Sequence, residues 1–150
     1  MIHFRNRPRS RRLIARLFFA PKDEGVPFPD LPSDFWQKFP NADPTAPSVW
    51  SPIAPAQTIT ALRPAEPVIL TFSWSPPLFS QDRIAMLAVV TSPDDPVNES
   101  RLDLASIVPN NKHILVQEMK VGVRSAVIVL GIVAGLGLLA FLGVKAFEKL

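Results

Sequence analysis

The chain has 150 residues, 47% of them hydrophobic, a formal net charge of +3 and no cysteine. A chain of this length holds one modest domain and one further element, and has no room for a two-domain enzyme. The missing cysteines exclude disulfides, thiolate metal sites and cysteine nucleophiles together.

The charge is an average over unlike segments. Before Asp23 the chain carries Arg5, Arg7, Arg9, Arg11, Arg12, Arg16 and Lys22 and no acid, whereas from Asp23 to Asn111 eleven acids face four bases. The basic edge Arg5, Arg7, Arg9, Arg11 and Arg12 suits anionic headgroups or an acidic protein surface, or is a solvated turn. No aromatic stacking platform or groove-reading helix accompanies it, so nucleic acid is not an expected partner. Leu13–Ala20 is too short, and too clearly broken by Arg16, to act as a secretory signal.

In chain order, Ile2 and Phe4 alternate with polar neighbours and begin a first strand. Leu13, Ala15, Leu17 and Phe19 share one face of a second. The stretch 21–55 is an insertion, dense in proline and carrying Phe28, Phe35, Trp36, Phe39 and Trp50. Its prolines argue against a central strand. Two readings stay open for it: a partner-binding arm, or a cover packed on the chain itself, with Phe35, Trp36 and Phe39 on one helical turn over an open sheet edge. A weaker strand is expected over Thr58–Leu62. Val68, Leu70, Phe72 and Trp74 then share a face of the next, Ile84, Met86, Ala88 and Val90 of another, and Ile114–Val121 forms the last. Short strands with both faces partly apolar suit two sheets packed face to face, so a mainly β fold, a β-sandwich over 1–123, is expected.

Between Arg124 and Lys145 lie twenty uncharged residues, SAVIVLGIVAGLGLLAFLGV. As a helix they would span about 30 Å, one hydrocarbon core. Lys120 and Arg124 on one flank, and Lys145 and Lys149 on the other, can reach the two headgroup layers. The expectation is a transmembrane helix over 124–146 and a short tail at 147–150. Gly131, Ala134, Gly135 and Gly137 would let another membrane helix approach closely.

Little here points to chemistry. His3 and His113 are far apart in sequence and show no ligand or acid/base spacing. The acidic stretch Asp94–Asp103, with Asp95 and Glu99, reads as a solvated loop or, if gathered, a calcium site. Asn98-Glu99-Ser100 is a formal glycosylation sequon. No catalytic, cofactor-binding or metal-binding residue is singled out, and no cofactor and no enzymatic activity is expected.

Six short motifs carry a resemblance. FRNR at Phe4–Arg7, LFFA at Leu17–Ala20, FSWSPP at Phe72–Pro77, MLAVV at Met86–Val90, Asp95-Pro96 and Asn110-Asn111 occur in an order that resembles bacterial immunoglobulin-like domains of the CARDB (cell-adhesion-related) type. The likeness spans 1–123. Met86 stands where that pattern has cysteine, and Lys112 interrupts its asparagine run. The resemblance implies an immunoglobulin-like sandwich used for binding, without enzyme activity.

Together these readings describe a single-pass membrane protein acting as an accessory or structural subunit of a larger multi-subunit membrane complex, such as an energy-transducing one. Its partners would be the lipid bilayer, other transmembrane helices and extramembrane subunits. The alternative is a membrane-anchored surface module for adhesion or ligand binding. The lack of a signal sequence favours a cytoplasmic domain, while adhesion needs the opposite face.

Overall fold

The structure, a computed structural model, describes residues 12–60, 67–75, 83–120, 126–133 and 138–146, the last two ranges by their backbone. It is mainly β. In chain order the elements are β1 (Leu13–Pro21), α1 (Phe35–Lys38), β2 (Ser51–Pro52), β3 (Gln57–Ile59), β4 (Pro67–Trp74), β5 (Arg83–Thr91), α2 (Leu104–Ile107) with a 3-10 turn (Val108–Asn110), β6 (Ile114–Lys120), β7 (Ala126–Val133) and β8 (Leu138–Ala146). Among the described residues, one antiparallel sheet runs β2-β1-β5-β6, with β3 also on the outer edge of β1, and a second runs β4-β7-β8.

Period-two patterning explains how the sheets meet. Leu13, Ala15, Leu17 and Phe19 of β1 and Ile84, Met86, Ala88 and Val90 of β5 form one buried cluster with Leu70, Phe72 and Trp74 of β4. Phe19 and Trp74 touch across the interface with ring centroids 4.9 Å apart. These are the faces the alternation predicts, since successive residues of a strand point to opposite sides. On β4 the alternation is clean because its other face, with Ile69 at 59% exposure, is open.

The larger sheet is covered on its second face as well. Phe18, Ala20, Ala85, Leu87 and Val89 are buried there beneath Leu31, Phe35, Trp50, Leu104 and Ile107. That is why β5 reads as an unbroken apolar run, and each large side chain so buried contributes about 1.5–3 kcal/mol. The helical turn at Phe35 forms as expected but covers this face and not a sheet edge, because β2 and β3 already occupy the edge of β1. The strand expected over Thr58–Leu62 is shorter, ending at Ile59. The expected first strand at Ile2–Phe4 lies outside the described residues.

The C-terminal segment departs from expectation. In place of a helix over 124–146, the backbone forms β7 and β8, with Val68↔Ile132, Phe72↔Ile128 and Trp74↔Ala126 pairing β7 to β4. No helix among the described residues is long and apolar enough to cross a membrane. The physical reason lies in composition. Val127, Ile128, Val129, Ile132 and Val133 are β-branched and favour strand, and a run apolar at every position carries no period that separates strand from helix. Pairing β7 with β4 also extends the sheet that covers the core.

Candidate functional site

The aromatic segment is spent inward. Phe35 is fully buried, with its ring 5.1 Å from Phe18 and 4.8 Å from Trp36. Trp36 Nε1 donates to the Arg101 carbonyl at 2.7 Å, and Trp50 Nε1 to the carbonyls of Pro29 and Asp30 at 3.2 and 3.1 Å. Both indoles thus satisfy their donors on backbone carbonyls while their rings pack on the buried cluster. Phe28 and Phe39 are partly buried against the same cluster. Asp34 fastens α1: one carboxylate oxygen accepts from Thr45 N, Thr45 Oγ1 and Ala46 N at 2.7, 2.8 and 3.1 Å. The Thr45 amide is the main reason its carboxyl sits below the usual range. The burial of Phe35 and Trp50 is that of a cover packed on the chain itself, with Phe28, Trp36 and Phe39 partly exposed.

Three acids of the 94–103 loop, Asp95, Glu99 and Asp103, are engaged separately. Asp95 bridges Lys112 Nζ at 2.6 Å and His113 Nε2 at 3.4 Å, while His113 Nδ1 lies 3.2 Å from the Val90 carbonyl. The Lys112 contact leads the effects that lower the Asp95 pKa. Asp103 caps α2 by accepting from Ala105 N at 2.9 Å. Glu99 accepts from the Ser100 and Arg101 amides and from Arg101 Nε and Nη2. The calcium reading is therefore not supported: among the described residues no three acids or histidines gather around one point. Asn98 of the sequon is exposed.

Arg101 above all pulls the Glu99 pKa from 4.5 down to about 2. Because the folded value is the lower one, the stabilisation is complete above pH 4.5 and drains away as pH falls toward 2. Glu99→Gln should flatten the acid limb of a stability–pH curve across that window and leave its slope above pH 5 unchanged, as followed by urea unfolding at successive pH values.

Arg16 is the residue the sequence disguised. Expected only as a break in the apolar run Leu13–Ala20, it sits mid-strand on β1 at 4% exposure, donating to Ala42 O at 2.7 Å and paired through Nη2 with Asp43, its guanidinium carbon 5.0 Å from the centre of the Phe18 ring. Its Nε is buried without a hydrogen-bond partner. Beside it a cleft of about 350 Å³ is lined by Asp43, Pro52, Ile53, Ala54 and Pro55. A buried cation resting on one exposed acid costs desolvation that apolar packing would avoid. Asp43→Ala should therefore destabilise, whereas Arg16→Leu should be neutral or raise stability by about 1 kcal/mol, measured as unfolding midpoints. Arg12 is exposed ahead of β1, and Arg5, Arg7, Arg9 and Arg11 lie outside the described residues.

At one end of the larger sheet a chain of ion pairs links segments distant in sequence. Lys22 Nζ meets Glu118 Oε2, Arg83 Nη1 meets Glu118 Oε1 and Arg83 Nη2 meets Glu24 Oε1, each at 2.8 Å. Lys22 is almost wholly buried, and its ammonium also lies 5.4 Å from the centre of the Phe28 ring. Lys22 first, then Arg83, holds the Glu118 carboxyl below its ordinary range. Ninety-six positions separate Lys22 from Glu118, so only the pairing of β5 with both β1 and β6 brings them together.

Of the expected helix-packing positions, Gly131 lies in β7 opposite Ile69 on one side and Ala140 on the other. Ala134, Gly135 and Gly137 lie outside the described residues. Compared with protein-family models, with curated proteins and with solved structures, the chain matches none of them.

Proposed function

We propose that the chain is a non-catalytic, membrane-anchored accessory subunit whose β-sandwich binds and stabilises a larger membrane complex. One observation carries this reading: twenty uncharged residues at 125–144 bracketed by Lys120, Arg124, Lys145 and Lys149. In water such a run is stable only if its apolar surface is covered, and pairing on β4 is one way to cover it. In lipid, unpaired strand edges leave backbone groups without partners, whereas a helix satisfies its own. The solvent thus selects the form, and at a bilayer the run spans as a helix whose small residues, Gly131, Ala134, Gly135 and Gly137, meet neighbouring helices. The CARDB-like motifs favour a binding role for the sandwich.

The test is extraction and co-purification of the full chain. The chain is expected to stay in membranes washed with alkaline carbonate and to emerge in mild detergent within a larger particle. Release by carbonate would sink the anchor, and a lone monomer in detergent would sink the subunit role. The second reading, a surface adhesion module, rests on the same motifs. Protease accessibility in intact cells separates the two, since adhesion requires the sandwich outside and the subunit reading leans to the cytoplasm.

A further inference from the structure

From the geometry we infer that one end of the sandwich, formed by the turn after β1, the start of β5 and the end of β6, rests on the lipid headgroup layer, its charges paired internally for that contact. The inference builds on the membrane-anchored reading and names the surface that meets the bilayer.

Three observations place that end. Pro21 pairs with Ile84, Arg83 pairs with Lys120, and Lys22 N donates to Arg83 O at 3.2 Å, so the last residues of β1 and β6 and the first of β5 lie side by side. From Lys120 only five peptide steps reach Ser125, the first residue of the uncharged run. Five steps extend at most about 18 Å, so whatever holds that run holds this end close to it. The opposite end, with the Ser92–Asp95 turn and His113, is a nine-residue strand away, about 30 Å.

The chemistry of this end suits a headgroup layer. Among the described residues this end carries Lys22, Arg83 and Lys120 together with Asp23, Glu24 and Glu118, three cations and three acids. Lys22, Arg83, Glu24 and Glu118 are joined in the one chain of ion pairs. A charge brought toward hydrocarbon loses hydration, and a partner already in contact offsets part of that loss. At the crest, the Asp23–Val26 turn carries Gly25 at φ 75°, in the left-handed region that suits glycine, and turns Val26 outward at 50% exposure. An exposed valine beside these paired charges fits the boundary between headgroups and acyl chains.

The absence of cysteine makes single-site labelling clean. Val26→Cys and, at the far end, Asp94→Cys each carry a nitroxide label on the full chain in phosphatidylcholine vesicles; both positions are exposed, so folding is undisturbed. The label at 26 should be relaxed preferentially by oxygen and the label at 94 preferentially by a water-soluble nickel chelate, with the oxygen-to-nickel ratio several-fold higher at 26. Equal ratios at the two positions, on chain that sediments with the vesicles, would overturn this orientation and leave the anchor standing. Chain that stays in the supernatant would overturn the anchor, and this inference with it.

Discussion

Phe35→Ala should lower the unfolding free energy by about 3–5 kcal/mol, the cost of removing a fully buried ring from a site that cannot close over the gap. Phe35 is 0% exposed and packs edge-on against Phe18, while its neighbour Trp36 is anchored to the Arg101 carbonyl. The site is walled by strands β1 and β5 below and by α2 beside it, so collapse is limited. Urea unfolding gives the measurement, with Val49→Ser, at a 54% exposed position, as the comparison expected to stay within about 0.5 kcal/mol. A loss below 1 kcal/mol at Phe35 would mean that the proline-rich segment is held loosely, and would reopen the arm reading.

On the membrane-anchored reading, Gly135→Arg should reduce the carbonate-resistant fraction about a hundredfold, because an arginine at the centre of a spanning helix costs about 2.5–3.5 kcal/mol. Gly135 is the central glycine of the 125–144 run. Gly131→Ile with Gly135→Ile is the complementary case. It keeps the run apolar, so membrane retention should persist while co-purification with the complex weakens. Arginine at 135 without effect on membrane retention would show that the run does not cross the hydrocarbon core.

How far the sequence disclosed this molecule depends on what each residue's neighbours were. β4 was legible because only one of its faces is covered, so Val68, Leu70, Phe72 and Trp74 alternate with exposed residues. β1 and β5 were legible as strands, but the aromatic cover on their second face was only one of two open readings, since an apolar residue states that it is buried and not against what. The ion-pair chain through Glu118 was not legible, because pairs formed by strand register leave no local spacing. Arg16 shows in the sequence as the break in LIARLFFA, and a lone cation with apolar neighbours on both sides also marks a buried charge. Length and uniform hydrophobicity make the 125–144 run read as helix, two properties that a pair of apolar strands shares.

The cover over the larger sheet is stitched from two stretches about seventy positions apart: Leu31 N donates to Leu102 O at 2.9 Å, and Trp36 Nε1 to Arg101 O. Neither stretch can lift away without releasing the other. In amide hydrogen exchange, 31–50 and 97–107 should therefore open as one cooperative unit with a shared opening free energy. A segment whose proline content resembles that of an unstructured linker should then resist limited proteolysis for as long as α2 stays seated.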